Sequence, residues 1–176
     1  IFDTVLETGD HGSFNSWGRD RFWPGEKDLI RKDPGLPFLD AGKTTVLRDS
    51  RWRCDHGWDI DLDDGSSNYD IYNNLLLHGG LKFREGFGRK GRNNVLVNCG
   101  FHPHVWYEDS GSEFTGNIVM KGHADIGMPK GWTAGVDRNF YTSAGALASA
   151  RAKGGDANSL SGDPMFVDPA SGDFRV

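Results

Sequence analysis

Apolar and polar residues alternate along three similar stretches in the middle of the chain. The first covers residues 57–65 (GWDIDLDDG), the second 79–86 (GGLKFREG) and the third 104–111 (HVWYEDSG). An alternation with a period of two residues is typical of a strand with one buried face. Because the three stretches repeat one pattern with different polar letters, they predict stacked strands that present polar side chains on one face.

One asparagine recurs at a regular interval, together with the apolar residues that follow it. The steps between occurrences are 20, 23 and 22 residues, at Asn74, Asn94, Asn117 and, more weakly, Asn139. Asparagine tolerates a left-handed backbone at a corner and can hydrogen-bond its counterpart in the next repeat. We therefore interpret these asparagines as structural.

A second column of apolar positions keeps the same period. Its members are 21, 24 and 21 residues apart, at Ile60, Leu81, Val105 and Ile126. Self-similarity at 20 to 24 residues indicates a solenoid, and neither the spacing of a leucine-rich repeat nor a helical period is present. The chain is therefore predicted to be all-β, a parallel β-helix of about five to seven coils.

The chain length fits a single domain over residues 1–176. A long loop over 9–43 precedes the regular pattern, and a loop of this length in a compact domain is often functional. Its aromatics either pack on the flank of the domain or supply Trp17 or Trp23 as the wall of a ligand groove.

One short helix is expected near the C terminus, over residues 143–153. Thr142 or Ser143 can cap its start and Gly154 its end. Because the helix follows the last clear repeat, we expect it to pack on a flank or act as a lid.

Composition excludes two classes of partner. The net charge of −5 offers no basic surface for nucleic acid, and no apolar run approaches the roughly 20 residues of a membrane-spanning helix. Six Trp and eleven Phe are many for 176 residues. Aromatic rings of this number suit both stacked cores and sugar-binding platforms.

If the second apolar column points inward, its sequence neighbours point outward and stack between coils. Side chains in adjacent coils would lie about 4.8 Å apart, close enough for opposite charges to pair. Such charges either neutralise each other on a solvated face or bind a ligand. The expected stacks are Asp61 with Lys82 and Trp106, Asp63 with Arg84 and Glu108, and Asp59 with His104 and Asp125.

An exposed indole ringed by charged groups is suited to a sugar chain. The ring stacks on the C–H faces of a pyranose, and charged groups bind its hydroxyls. His102 and His104 flank Pro103 beside this face. We expect the polysaccharide-binding residues to be Asp59, Asp61, Asp63, Lys82, Arg84, His102, His104, Trp106, Glu108 and Asp125.

The same face permits catalysis. Asp59, Asp61 and Asp63 lie at i, i+2 and i+4 of one strand, so neighbours are about 7 Å apart, within the range of an inverting glycosidase. Elimination from a uronate would instead need a basic residue of this face as the base. The aspartates could also bind Ca²⁺, but alternate strand residues point to opposite faces, so we expect no metal and no cofactor.

Segments 57–69, 80–86, 101–106 and 162–169 resemble right-handed parallel β-helix proteins of polysaccharide-degrading bacteria. The resemblance covers about residues 44–176. That group contains large glycoside hydrolases of the xylanase and fucosidase type. It also contains non-catalytic β-helix modules that bind xylan within modular xylanases.

The resemblance implies a right-handed coil, a polysaccharide partner and an extracellular or periplasmic location. Because the chain is short and looks excised from a larger modular secreted protein, the first expectation is a non-catalytic module. It would bind a xylan-type plant cell-wall polysaccharide and be appended to a catalytic domain. The alternative is a glycoside hydrolase, or a polysaccharide lyase, acting on such a polymer through the paired aspartates.

Overall fold

Strands dominate the computed structural model, which describes residues 1–2, 4–18, 27–124 and 131–176. In these ranges fifteen strands form three sheets, and neighbouring strands of each sheet run parallel. The predicted all-β class is confirmed. Two of the predicted outward or inward positions, Asp125 and Ile126, lie outside the described residues, as does Trp23.

The three sheets differ in the length of their strands. Sheet A contains, in spatial order, β1 (Gly12–Ser16), β4 (Trp58–Leu62), β7 (Leu81–Phe83) and β10 (Phe101–Pro103). Sheet B contains β2 (Thr45–Arg48), β5 (Tyr69–Tyr72), β8 (Arg89–Arg92), β11 (Glu113–Thr115) and β13 (Val136–Asp137). Sheet C contains β3 (Arg51–Trp52), β6 (Leu75–Leu76), β9 (Val95–Leu96), β12 (Ile118–Val119), β14 (Phe140–Tyr141) and β15 (Leu160–Ser161).

The chain visits the sheets in rotation. From β1 to β12 it passes through sheet A, sheet B and sheet C four times, and each strand pairs with the strand three places earlier. One cluster of buried side chains holds residues of all three sheets, among them Ile60 of sheet A, Ile71 of sheet B and Leu76 of sheet C. The three sheets therefore surround a common core.

Connections from sheet B to sheet C are two residues long and nearly identical. The first residue of each has a positive φ, as at Asn73 (56°) and Asn93 (51°). The recurrent asparagine is the second residue of each connection. The residue before it adopts the left-handed conformation, so the prediction that the recurrent asparagine does so was wrong. An αL backbone suits asparagine better than most residues because its short side chain can bond locally.

The recurrent asparagines form a continuous hydrogen-bonded ladder. The Nδ2 amide of Asn74 donates to Oδ1 of Asn94 at 3.1 Å, Asn94 to Asn117 at 3.0 Å, and Asn117 to Asn139 at 3.1 Å. Asn139 in turn donates to Oδ1 of the buried Asp156, at 2.9 Å. The predicted structural role of these asparagines is thus confirmed.

The pairing register of sheet A confirms one predicted step and corrects the next. Ile60 pairs with Leu81, as expected, but Leu81 pairs with Phe101, four residues before the predicted Val105. Both segments, Phe101-His102-Pro103 and Val105-Trp106, alternate like strands, so the pattern could not choose between them. Residues 104–112 instead form the connection to β11.

Helical structure in the described ranges is short. There are two α-helices, α1 (Lys27–Lys32) and α2 (Ala144–Ala152), and 3₁₀ turns at Leu36–Phe38, Trp132–Gly135 and Pro169–Ser171. Helix α2 matches the predicted C-terminal helix: the Ser143 hydroxyl accepts from the Ala146 amide at 3.3 Å, and its buried face carries Leu147 and Ala150. It packs against the core as a flank.

Candidate functional site

Long connections gather at one corner, where the chain passes from sheet A to sheet B. They comprise the described residues 17–18 and 27–44, together with 63–68, 84–88 and 104–112, against two residues at each passage from sheet B to sheet C. Contacts hold these loops together, since the Arg31 guanidinium bonds the Asp109 carboxylate at 2.8 Å. Binding and catalytic residues are concentrated on loops that a rigid scaffold positions, so this corner is the candidate location of a site.

A row of mostly buried polar side chains crosses the face of sheet A that points away from the common core. Asn15, Asp61, Lys82 and His102 occupy equivalent positions of its four strands. The predicted neighbours Asp61 and Lys82 do lie side by side. His102 takes the place predicted for Trp106, because the strand pairing is shifted by four residues.

The Lys82 ammonium is buried among acidic and aromatic groups. Its Nζ atom lies 3.1 Å from Oδ1 of Asp61, 3.6 Å from Oδ1 of Asp63 and 3.9 Å from the centre of the Trp58 ring. Only 2% of the Lys82 side chain is exposed. Burial raises the pKa of Asp61 to about 6, although the Lys82 charge acts in the opposite direction.

Trp58 joins the outer row through His102. The Trp58 indole N–H donates to Nδ1 of His102 at 2.8 Å. Burial, with the neighbouring charges of His104 and Lys82, lowers the pKa of His102 to about 4, so this imidazole is neutral at physiological pH. Trp58 reaches the outer surface because the Asp59 and Ile60 amides both bond the Gly80 carbonyl, as in a β-bulge, which shifts the alternation.

An acidic cluster surrounds Arg84 at the loop-rich corner; we define it as Asp63, Asp64 and Glu85. The guanidinium contacts Asp63 at 3.1 Å, Glu85 at 3.4 Å and Asp64 more closely still. Burial raises the pKa of Glu85, and the nearby Asp64 carboxylate adds to the increase. Arg84 itself is one-third exposed, so the cluster opens to solvent.

An exposed indole borders the acidic cluster. Trp17 is 64% exposed, and its Nε1 atom lies 3.4 Å from Oδ2 of Asp64. The Gly18 amide donates to the Asp64 backbone carbonyl at 3.0 Å, which fixes this loop against the cluster. A sugar ring stacked on Trp17 would therefore lie beside carboxylate groups.

Trp106 does not belong to the surface. It is only 6% exposed and packs in the core, 6.5 Å from the Phe83 ring and 6.3 Å from the Phe101 ring. The prediction that its indole faces outward beside Asp61 and Lys82 is therefore wrong. A large aromatic ring gains more free energy from burial in the core than from an exposed position.

Asp59 is buried as well, and its carboxylate binds the backbone. It accepts from the amides of Cys54 at 2.7 Å, His78 at 3.1 Å and Gly80 at 3.1 Å. The predicted outward stack of Asp59 with His104 is thus wrong. Its bonds fasten the connection between sheet C and sheet A, a structural task.

Glu108 and His104 were also predicted to bind the ligand. Glu108 lies in the loop after β10, 4.0 Å from the Arg31 guanidinium, so its predicted stack with Arg84 is wrong. His104 remains near Lys82 and Arg84, whose charges, after burial, lower its pKa. The Nδ1 atom of His104 has no hydrogen-bond partner among the described residues.

Several site residues escaped the sequence analysis. Trp58, Asp64 and Glu85 were not among the predicted binding residues, and Trp17 was only one option for a groove wall. The acidic run Asp63-Asp64 and the Arg84-Glu85 pair were visible signals, since each breaks the alternation where a strand ends. Their convergence needed the pairing of β4 with β7.

In the ranges that the structure describes, no three His, Cys, Asp or Glu side chains are arranged to hold a metal ion. No helix within those ranges is long and apolar enough to cross a bilayer. Comparisons with family models, with curated proteins and with solved structures found no match to this chain.

Proposed function

We propose that this domain hydrolyses glycosidic bonds of a polysaccharide at the corner between sheet A and sheet B. The observation that carries the proposal is the exposed Trp17 indole against the acidic cluster of Asp63, Asp64 and Glu85. An aromatic platform binds the C–H face of a sugar, and carboxyl groups beside it can act on the glycosidic oxygen.

The proposed scaffold is one right-handed parallel β-helix whose three faces are sheets A, B and C. Support comes from the rotation of the chain through the sheets, from the shared core and from five successive two-residue corners between sheets B and C. This count agrees with the lower end of five to seven coils. The resemblance to β-helix proteins of polysaccharide-degrading bacteria is part of the same proposal.

Glycoside hydrolysis needs two carboxyl groups in different protonation states. One protonates the leaving oxygen, and the other activates a water molecule or attacks the anomeric carbon. Glu85 suits the acid, because its pKa is raised by burial and by Asp64. Asp63 and Asp64 are the candidates for the second role, since Arg84 contacts both beside Glu85.

Asp61 is assigned a supporting role. Its carboxyl has no exposed surface, and Lys82 lies between it and Asp63. The buried Lys82 ammonium contacts both carboxylates and so fixes the position of Asp63. Asp59 has no part in the proposed chemistry, since three backbone amides occupy it.

A non-catalytic binding module is the second candidate. One observation favours it: a single guanidinium contacts all three carboxylates of the acidic cluster, which fixes them as a rigid acceptor surface for hydroxyls. In either case the partner is a polymer outside the cell. An extracellular or periplasmic location, as part of a larger polypeptide, belongs to the same proposal.

Two assays on one set of variants test the proposal. Retardation in native gels containing soluble xylan, arabinoxylan or pectin reports binding, and release of reducing sugar reports hydrolysis. Trp17→Ala is expected to weaken retardation about tenfold, since one stacked ring contributes on the order of 1 kcal/mol or more. Glu85→Gln is expected to lower sugar release at least a hundredfold while leaving retardation in place.

Trp106→Phe is the matched control, because it changes a buried indole and is expected to leave retardation unchanged. If the wild type is retarded but releases no sugar, the proposed hydrolysis is wrong and the domain is a binding module. Equal retardation by the wild type and Trp17→Ala would show that the ligand does not use this corner.

A further inference from the structure

A cavity of about 320 Å³ lies next to the acidic cluster, where sheet A meets sheet B. Trp17 lines it on one side and Lys43, from the loop before β2, on another. Small-molecule sites begin at about 300 Å³, so this cavity accommodates one sugar ring and not an oligosaccharide. Its position beside Trp17 joins it to the surface that the proposed function uses.

The cavity wall contains a network of hydroxyl groups. The Tyr69 and Ser16 hydroxyls lie 2.5 Å apart, and the Ser66 hydroxyl lies 2.8 Å from the Ser16 carbonyl and 3.0 Å from its hydroxyl. Each hydroxyl has one hydrogen to donate and can accept two. The network therefore keeps acceptor positions that sugar hydroxyls can use without displacing its own bonds.

The rim adds groups of opposite charge. Asp40 and Lys43 both line the cavity and are exposed. The Lys43 ammonium can donate hydrogen bonds to the hydroxyls of a sugar at this rim. Lys43 has no ion-pair partner in the part of the chain that the structure describes, which leaves its three donors for a ligand.

We propose that this cavity is a subsite for a single sugar unit, stacked on Trp17 and adjoining the bond that the acidic cluster cleaves. The assignment rests on the proposed function for its place beside the cleaved bond. The binding of one sugar unit rests on the cavity alone. The subsite makes a terminal residue, or a one-sugar branch, the part of the polymer that the domain recognises.

Ligand-observed NMR titration tests the subsite directly, with xylose, arabinose, fucose, galactose, glucose and galacturonate as probes. The wild type is expected to bind at least one of them. Thr45→Tyr, which places a ring in the cavity, is expected to weaken that binding at least tenfold. Val46→Tyr is the control, since Val46 is the next exposed residue of β2 and does not line the cavity.

Circular dichroism establishes that each variant is folded, and Tyr69→Phe provides a smaller change in case Thr45→Tyr is not. It removes one hydroxyl of the network and is expected to weaken binding about threefold to tenfold. The subsite is overturned if no probe binds the wild type, or if all variants bind alike. If binding depends on the cavity but no polymer is hydrolysed, the subsite stands and the proposed hydrolysis fails.

Discussion

Two columns of polar side chains run across the strands, and they differ in almost every physical respect. The asparagine ladder between sheets B and C is neutral, and each amide finds its partner in the next repeat. The outer row of sheet A is charged, with the Lys82 ammonium shared between Asp61 and Asp63. The first column occupies two-residue corners, and the second leads into the longest loops.

The difference separates a structural element from a site. A fully satisfied buried network rigidifies a fold, whereas carboxyl groups with raised pKa values next to basic residues mark places where chemistry is favoured. Asp61 and Glu85 carry such raised pKa values, and both lie on the side of the molecule where loops converge. The connections from sheet B to sheet C all have the same length, whereas those from sheet A to sheet B differ in length.

The largest effect is expected from breaking the buried ion pair of the outer row. Lys82→Met leaves the Asp61 carboxyl buried without its cation, which costs about 3–5 kcal/mol of unfolding free energy. Urea unfolding at pH 7 measures the loss. Arg92→Met is the matched control: Arg92 pairs with Asp70 at 2.8 Å between equivalent strands, but in solvent, so a change below about 1 kcal/mol is expected.

A loss as small for Lys82→Met as for Arg92→Met would contradict the contrast between a buried row and a solvated one. Recovery of stability in Lys82→Met with Asp61→Leu would support it, because the second change removes the stranded carboxyl.

The next effect is a dependence of folding stability on pH. The asparagine ladder cannot produce it, because amide groups do not titrate. The folded-state pKa of Asp61 is about 6, above its usual 3.8, so the folded protein binds more protons between these values. Stability from this group is complete below about pH 3.8 and is lost as the pH rises to about 6. The loss amounts to about 3 kcal/mol.

Comparison with Asp61→Asn isolates this contribution, because the amide does not titrate. We measure the unfolding free energy of both proteins by urea unfolding from pH 4 to pH 7. As the pH rises, the wild type is expected to lose stability relative to Asp61→Asn. A difference that stays constant across this range would show that the carboxyl is ionised normally.

The smallest of the three effects comes from the ladder. Asn94→Leu leaves the Asn74 amide and the Ile71 carbonyl without their partner, and about 2 kcal/mol of stability is expected to be lost. Asn93→Gly serves as the control, since it keeps the positive φ of 51° and removes an exposed amide with its 2.7 Å bond to Oδ1 of Asn73. Its expected change is within about 0.5 kcal/mol.

Thermal or urea unfolding of both variants gives the comparison, and it should be independent of pH between 4 and 7. Equal losses from Asn94→Leu and Asn93→Gly would mean that the buried asparagine ladder contributes no more than the exposed bond between Asn93 and Asn73.

The repeat allowed much of this fold to be predicted. The period located the asparagine ladder and the pairing of Ile60 with Leu81, because those positions are spaced evenly in the chain. It failed at β10, where Phe101 follows Leu81 by a regular 20 residues, but the nine-residue connection over 104–112 contains a second alternating segment. A single wrong register then misplaced Trp106, Glu108 and the partner of Asp59.

The candidate site was predicted only in part, for a related reason. Asp61, Lys82, Asp63 and Arg84 occur in strands or directly after them, so the period brought them together. Trp17 and Glu85 lie in loops, where spacing along the chain carries no information about distance in space. Their meeting with Asp64 depends on how loops of different length fold over one corner.

What the sequence by itself determined is the arrangement that repeats: parallel strands, the amide ladder and the neighbouring charges on sheet A. These depend on local periodicity, which one chain displays in full. What only the tertiary structure decided is which polar groups are buried and which aromatic ring meets solvent. Burial depends on what the loops cover, and the same indole gains free energy inside at Trp106 and lies exposed at Trp17.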